Sequence, residues 1–400
     1  MTWSALQVLG WRDCYRVRLP APAFRATGTL AGGVEIGAVS RQRGLAPLSG
    51  WPRVPVAMRA VVITRHGGPE VLQVQERPDP PVGPGEVRIA VKAAGINFAD
   101  TLARTGLYPD APKVPCVVGY EVAGEVESVG DGVESVKSGD RVLAGTRFNG
   151  QAELVTVSEN MVYELPERLS FEEGAAFPVN YATAQAGLVV MGGLKEVERV
   201  LIHAAAGGVG ISATQIAKRI GAEVFGTASA SKHDAIREQG VDHAIDYRSQ
   251  DFAEVVRGIT RGEGIDVAFD ALGPSSFRKD YQLLRQGGRL IMYGASEVQT
   301  GEKRSVPAAL RTLAKSPFSS MPWWKGLGVM SENKGVFGLN VLSWWDAEGS
   351  LDRVIEPLIP ALQEGAVKPV VAAAFSFDRA PDAHRFIAER RNVGKVVLVP

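Results

Sequence analysis

The sequence predicts an α/β protein in which a β-rich unit is followed by a doubly wound parallel sheet. Three observations predict this fold class. Short β-type runs separated by glycine and proline turns fill residues 58–160, and strands then alternate with helix-length segments across 182–330. A glycine-rich turn at 204–210 joins one of those strands directly to a helix. Such alternation is typical of a parallel sheet covered by helices on both faces.

The β-rich unit consists of short apolar runs bounded by turn residues, for example Gly83-Pro84-Gly85 and Gly130-Asp131-Gly132. Its predicted strands are 60–64, 72–75, 87–93, 124–129, 141–144 and 152–157. Helical sequence begins after Ser170, because Glu173 three residues later completes a capping box.

The parallel sheet has predicted strands at 199–203, 223–226, 242–245, 265–270 and 289–293. Nucleotides bind such sheets at the carboxyl ends of the strands. The positions of interest are therefore 204–210, 227–232, Tyr247, 271–273 and 294–296. Near the end of the chain, strands at 369–374 and 395–399 flank a helix at 381–390. We expect these strands to return to the β-rich unit.

The turn at 204–210 is a variant of the dinucleotide-binding fingerprint. In the register Ala205-x-Gly207-x-x-Gly210, small residues let the backbone approach a pyrophosphate, and Gly210 lets the helix pack closely on the strand. Alanine replaces the usual first glycine. Apolar residues follow at helical spacing, so the turn opens onto a helix N-terminus, where unpaired N–H groups favour an anion.

Composition excludes several classes of function. The chain has 44 basic and 44 acidic side chains among 400 residues, and this zero net charge argues against nucleic acid as a partner. No run approaches the ~18 apolar residues of a membrane span. Only Cys14 and Cys116 are present, which argues against a disulfide framework or a cysteine-rich zinc site and indicates a reducing, cytoplasmic location.

Residues 1–57 differ from the rest, with seven arginines, no lysine and only Asp13 and Glu35 as acids. We interpret them as an extension that is disordered or arises from a mis-assigned start, with Met58 as the beginning of the folded chain. An organellar targeting segment is the alternative.

Several motifs occur together after residue 57. They are Gly67-Gly-Pro-Glu-Val-Leu72, Gly95-Ile-Asn-Phe-Ala-Asp100, Gly106-Leu-Tyr108, Gly139-Asp-Arg-Val142, Ala204-Ala-Ala-Gly-Gly-Val-Gly210 and Asn392-Val-Gly-Lys-Val-Val-Leu-Val399. With them the chain resembles the zinc-independent quinone oxidoreductase branch of the medium-chain dehydrogenase/reductase superfamily. Within that branch, 224–233 and 245–247 are most similar to the synaptic vesicle membrane protein type.

The resemblance implies a GroES-like catalytic domain, formed by 58–181 and 331–400, around a Rossmann-type NADPH domain at 182–330. It also implies a homodimer. Zinc-dependent relatives carry Gly-His-Glu where this chain has Gly119-Tyr120-Glu121, and a cysteine ligand where it has Asn97 and Asp100. We therefore expect no catalytic metal, and we expect Glu121 to be a structural carboxylate.

The cofactor preference is predicted from the end of the second parallel strand. An NAD site places an acidic residue there for the ribose 2′-hydroxyl, whereas this chain has Ser229 and Lys232, which can donate to a 2′-phosphate. NADPH is the expected cofactor. Instead of binding the cofactor, Lys232 could be a solvated lysine at a helix start, and Tyr247 could serve only in packing at the end of its strand. Expected cofactor contacts are Asn97, Thr183, Ala206, Gly207, Gly208, Val209, Gly210, Ser229, Lys232, Tyr247, Leu272, Tyr293, Gly294 and Lys395.

The resemblance places two polar residues beside the nicotinamide. We assign Asn97 to orienting the cofactor and Tyr108 to the substrate oxygen, although each could instead be a turn residue. Trp323-Trp324 and Trp344-Trp345 fit core or dimer packing better than a pocket wall. The predicted function is metal-free, NADPH-dependent reduction of a small quinone or α,β-unsaturated carbonyl. One alternative is a 2-enoyl thioester reductase, because Tyr108 precedes Glu121 by the same number of residues as the catalytic tyrosine does in similar reductases of this superfamily. The other is an NADPH-binding or membrane-associated module with little turnover.

Overall fold

The computed structural model describes residues 57–297 and 327–400. The interpretation of the N-terminal extension, up to residue 56, and the packing expected of Trp323-Trp324 concern positions outside the described residues. No helix in the described part of the chain is long and apolar enough to cross a membrane.

The β-rich domain contains two sheets. The smaller comprises β1 (Ala57–Ile63), β2 (Leu72–Pro78) and β4 (Cys116–Val117), in the order β2-β1-β4. The larger comprises β3 (Glu86–Ile96), β5 (Glu121–Val129), β6 (Arg141–Gly145), β7 (Leu154–Ser158), β8 (Val162–Glu164), β15 (Val371–Ser376) and β16 (Lys395–Val399). Its order is β15-β16-β3-β5-β6-β8, with β7 also paired to β3. The two strands from the end of the chain thus return to this domain, as the sequence predicts.

The Rossmann-type domain is built on one parallel sheet of six strands. These are β9 (Arg199–Ile202), β10 (Glu223–Ala228), β11 (His243–Asp246), β12 (Ile265–Asp270), β13 (Leu284–Met292) and β14 (Gly335–Gly338). Their order is β11-β10-β9-β12-β13-β14, and every neighbouring pair is parallel. The predicted fold class is confirmed.

Helices surround the two domains. The described α-helices are α1 (Phe98–Thr105), α2 (Phe171–Gly174), α3 (Pro178–Gln185), α4 (Gly208–Ile220), α5 (His233–Glu238), α6 (Phe252–Ile259), α7 (Pro274–Leu283), α8 (Leu327–Glu332), α9 (Val341–Glu348), α10 (Asp352–Ile355), α11 (Ile359–Glu364) and α12 (Ala380–Ala388). The capping box before α2 forms as predicted. The Glu173 N–H donates to Ser170 Oγ at 3.1 Å, and the Ser170 N–H donates to Glu173 Oε2 at 2.8 Å.

One predicted boundary differs from the structure. The parallel sheet was expected to end by residue 330, but its sixth strand is β14, which pairs with β13. The segment Gly335-Val-Phe-Gly338 has only two apolar residues between two glycines, so its sequence gives no strand signal.

The burial of the parallel strands explains why polar and apolar residues do not alternate along them. Val200, Leu201 and Ile202 in β9 are fully buried, as is Phe269 in β12, because helices cover both faces of the sheet. The apolar face of α4 is buried against the sheet, which fixes the glycine-rich turn immediately before it.

Candidate active site

The glycine-rich turn follows β9 and leads into α4. Ala204 has a φ of 52°, so the left-handed position that begins the turn is filled without glycine. A Cβ on Gly210 would lie 2.4 Å from the Ala204 carbonyl oxygen. Gly210 is therefore required for close packing of helix on strand, as the sequence predicts.

The turn also contacts the β-rich domain. The Gly394 N–H donates to the Ala206 carbonyl at 2.9 Å, and Gly207 and Gly394 form a parallel bridge. A Cβ on Gly208 would approach the Asn180 side-chain nitrogen to 2.5 Å. The N-terminus of α4 is thus enclosed by α3 and by the segment that begins β16.

Lys232 already has partners. Its ammonium donates to the carbonyls of Arg390 at 2.7 Å and Asn392 at 2.6 Å. Burial lowers the pKa of Lys232, and the nearby Arg248 and Arg390 lower it further. Two of its three protons are therefore used in joining the Rossmann-type domain to the turn after α12, and the third is available to a ligand.

The same strand ends carry further polar groups. Ser229 Oγ lies 3.4 Å from Ser231 Oγ, and Tyr247 is 39% exposed with the Arg248 guanidinium 6.0 Å from its ring centre. An acid that sequence reasoning missed, Asp246, also lies here. Hydrogen bonds from Ser249 and from backbone N–H groups lower the pKa of Asp246.

The loop after β12 is fixed by a buried carboxylate. Asp270 accepts from the N–H groups of Leu272 at 2.5 Å and Gly273 at 3.3 Å. The Tyr293 ring stacks on Phe269 with their centres 4.0 Å apart. The glycine after Tyr293 is required, because its Cβ would lie 2.7 Å from the Ala271 carbonyl oxygen.

His203 forms a network that sequence reasoning missed, since a strand-end histidine carries no signal of its partners. Its ring is fully buried, with Nδ1 3.1 Å from Thr227 Oγ1 and Nε2 2.9 Å from Asp280 Oδ1. Burial alone would lower the pKa of His203, but the carboxylates of Asp280 and Asp270 outweigh it and raise the pKa to about 9. The network ties together the ends of β9, β10 and β12, beneath the predicted cofactor loops.

A second buried network lies in the β-rich domain. Lys395 forms an ion pair with Glu121, and its ammonium donates to Asn97 Oδ1 at 2.6 Å. The Asn97 amide donates to Glu121 Oε1 at 3.0 Å, and the Val179 N–H donates to Glu121 Oε2 at 2.7 Å. The Thr183 hydroxyl donates to the Val179 carbonyl at 2.6 Å. Asn97, Lys395 and the start of α3 are thus brought together.

Asp100 lies beside this network. Its carboxylate accepts from the N–H groups of Asn97 at 2.7 Å and Gly119 at 3.0 Å. Burial raises the pKa of Asp100 to about 7, although these hydrogen bonds and the charge of Lys395 oppose the shift.

Tyr108 belongs to an aromatic cluster that consists of Tyr108, Tyr120, Phe148, Leu342 and Trp345. Its ring is perpendicular to that of Tyr120, with the centres 6.3 Å apart. Burial raises the pKa of Tyr108 to about 12, and Asp110 and Asp100 contribute. Trp345 thus belongs to the aromatic cluster, whereas the Arg353 guanidinium lies over the Trp344 ring, 5.3 Å from its centre.

Comparison with known proteins identifies the family. Residues 83–167 match the alcohol dehydrogenase GroES-like domain, and residues 239–398 match the zinc-binding dehydrogenase family. The synaptic vesicle membrane protein VAT-1 homolog of Rattus norvegicus is 39% identical over 352 residues, which cover 86% of this chain and 84% of that relative. The chain belongs to the medium-chain dehydrogenase/reductase superfamily. The resemblance expected from the motifs is thereby confirmed.

Solved members of this superfamily share the fold across 86% of the chain. The quinone oxidoreductase of Pseudomonas syringae is 30% identical, with a TM-score of 0.73 and 100% of its chain covered. CurK enoyl reductase is 28% identical, with a TM-score of 0.74 and 99% covered. A mycobacterial protein solved with NADPH is 29% identical, with a TM-score of 0.73 and 100% covered. The chain is an oxidoreductase of this superfamily.

Proposed function

We propose that the protein reduces a quinone or an α,β-unsaturated carbonyl with NADPH and without a metal ion. The observation that carries this proposal is the position of Tyr108, a half-buried hydroxyl in an aromatic cluster that also contacts Val179. Val179 in turn donates to Glu121 in the network that holds Asn97. Apolar walls with few polar groups suit a flat carbonyl acceptor.

The residues present fit a dinucleotide. Gly207, Gly208 and Val209 are partly exposed at the N-terminus of α4, and this end of a helix favours a pyrophosphate. Lys232, Arg248 and Arg390 gather positive charge near the end of β10, which supports a 2′-phosphate. Asp246 opposes this charge in part. When bound, NADPH supplies the hydride.

The side chains of the protein orient the cofactor and stabilise the negative charge that develops on the substrate oxygen. Glu121 and Lys395 hold the Asn97 amide in one orientation, while its second N–H stays available to a ligand. The Tyr108 hydroxyl donates to the substrate oxygen as negative charge builds there. Its pKa of about 12 keeps it protonated at neutral pH.

The residues present do not fit the catalytic zinc of the superfamily. Tyr120, at the position of the histidine ligand, packs between Tyr108 and Phe148, and Glu121 is paired with Lys395. Elemental analysis of purified protein and an assay after exhaustive chelation test this part of the proposal. We expect no stoichiometric zinc and unchanged activity; zinc at one equivalent would contradict it.

The test of function is a steady-state NADPH-oxidation screen over 1,2-naphthoquinone, an enone and an enoyl thioester, with NADH as the matched control. We expect turnover with the quinone and the enone. A 2-enoyl thioester reductase is the second candidate, favoured by the likeness to CurK enoyl reductase, and a strong preference for the thioester would establish it. NADPH binding without any turnover would instead indicate a binding module.

A further inference from the structure

Tyr120 holds a buried hydroxyl without a partner. Its side chain is only 5% exposed, and its hydroxyl has no hydrogen-bond partner among the described residues. Two other tyrosines have a partner for the hydroxyl: Tyr163 donates to Asp352 at 2.7 Å and Tyr181 to Gln215 at 2.7 Å. Among the described residues the Tyr281 hydroxyl also lacks one, but Tyr281 lies in the Rossmann-type domain, away from Tyr108. An unpaired buried hydroxyl costs about 1–3 kcal/mol, so its retention needs a reason.

The ring of Tyr120 is fixed in place. It lies between Tyr108, at 6.3 Å, and Phe148, at 5.3 Å between ring centres. Its carbonyl accepts from the Thr146 N–H at 2.8 Å, and Gly119 before it has a φ of 103°. The hydroxyl therefore cannot turn towards solvent without rearranging the aromatic cluster.

We propose that the Tyr120 hydroxyl is a second hydrogen-bond donor of the acceptor site, and that together with Tyr108 it selects acceptors with two carbonyl oxygens, namely quinones. This inference rests on the proposed function. Burial, followed by the charge of Asp100, raises the pKa of Tyr120 far above its ordinary value, so the hydroxyl remains a donor.

The selectivity follows from where charge develops. A quinone that accepts a hydride gains two electrons, and the negative charge spreads over both oxygens before a proton from water completes the hydroquinone. An enone places its charge on one enolate oxygen, and Tyr108 alone serves it. A second donor therefore stabilises the transition state for a quinone and leaves that for an enone unchanged.

The test is Tyr120→Phe, which keeps the ring and removes the hydroxyl. We expect kcat/KM for 1,2-naphthoquinone to fall about tenfold and that for 4-phenyl-3-buten-2-one to stay within about twofold, at saturating NADPH. We also expect a Tm above that of the unmodified protein, because an unsatisfied group is removed. Tyr163→Phe is the matched control: it removes a partnered hydroxyl, so it should lower Tm and leave both activities unchanged.

Two results would overturn the proposal. A fall in the Tm of Tyr120→Phe would show that a buried water already satisfies the hydroxyl, and equal losses on both acceptors would show a role in packing.

Thermal protection by 1,2-naphthoquinone in the presence of NADP⁺ separates this inference from the proposed function. Suppose that the unmodified protein turns over neither acceptor and that 1,2-naphthoquinone protects Tyr120→Phe less than it protects the unmodified protein. This result would reject the proposed function but support the Tyr120 hydroxyl as a second donor. Equal protection of both proteins would reject the second donor.

Discussion

The Lys395 ammonium lies 2.6 Å from the amide oxygen of Asn97, a residue that precedes it by 298 positions. This contact joins β16 to the start of α1, and the ion pair with Glu121 accompanies it. Both charged side chains are at least 97% buried, so neither has water as a substitute partner.

Replacing Lys395 by methionine should therefore destabilise the fold. It leaves the Glu121 carboxylate buried and unpaired, and breaking such a pair costs about 3–5 kcal/mol. The double variant with Glu121→Gln removes both charges and should recover most of the loss. Urea unfolding measures both; a double variant no more stable than Lys395→Met would show that the two groups are not coupled.

Lys232→Ala should weaken the use of NADPH. Loss of one charge-assisted contact to a 2′-phosphate corresponds to about 1.5–3 kcal/mol, seen as a raised KM for NADPH with the KM for NADH nearly unchanged. The bonds to the Arg390 and Asn392 carbonyls supply an alternative role, as a purely structural link. In that case KM would rise equally for both cofactors and Tm would fall.

Tyr108→Phe should affect an enone more than a quinone. Removing an oxyanion donor typically costs ~10²–10³ in turnover, whereas a quinone delocalises the charge and should lose about tenfold or less. Turnover numbers at saturating NADPH decide this, with one acceptor of each kind. If both numbers stay intact, Tyr108 is a packing residue.

His384 should make the protein less stable in acid. Its ring is fully buried with no hydrogen-bond partner for either nitrogen in the described ranges, and burial, aided by the charge of Arg104, lowers its pKa to about 3. In the unfolded chain His384 has a pKa of about 6.5, so it binds a proton at pH values where the folded chain does not. The free energy of unfolding therefore decreases as the pH falls from about 6.5 towards 3.

Between pH 3 and about 6.5, we expect His384 to contribute about 1.4 kcal/mol per pH unit to the slope of the free energy of unfolding against pH. His384→Leu should show a flatter dependence of the free energy of unfolding on pH. Identical slopes in both proteins would mean that His384 is already protonated in the folded state.

Val197 should be replaceable with a gain in stability. It is 84% exposed and has a φ of 60°, which costs a β-branched residue about 1–2 kcal/mol. Val197→Gly removes that strain, and we expect a gain of about 1 kcal/mol in the free energy of unfolding. Val129→Gly, in the extended strand β5, is the control and should lose stability. A loss in both variants would contradict the argument.

Local patterns predicted most of the fold. β12, the capping box at Ser170 and the close packing at Gly210 each depend on residues next to one another in the chain. β14 could not be predicted, because its place in the sheet comes from pairing with β13 rather than from its own two apolar residues.

The candidate site residues were proposed from the family resemblance, and their hydrogen bonds could not be predicted. The resemblance indicated Asn97, Tyr108 and Lys395, whose roles stay predictions. It did not indicate that Lys395 pairs with Glu121, or that Lys232 donates to two carbonyls near the end of the chain. Such contacts join segments distant in sequence, and only the folded topology determines them. His203 was missed for the same reason, since its partner Asp280 follows 77 positions later.

The hydrogen bond from Gly394 to Ala206 has a consequence for biosynthesis. A chain emerging from the ribosome completes all six strands of the parallel sheet well before Gly394 and Lys395 are made. Until then the glycine-rich turn lacks its partner and Glu121 lacks its counter-charge. A nascent chain therefore completes the contacts of its glycine-rich turn only after the segment that carries Gly394 and Lys395 has emerged from the ribosome.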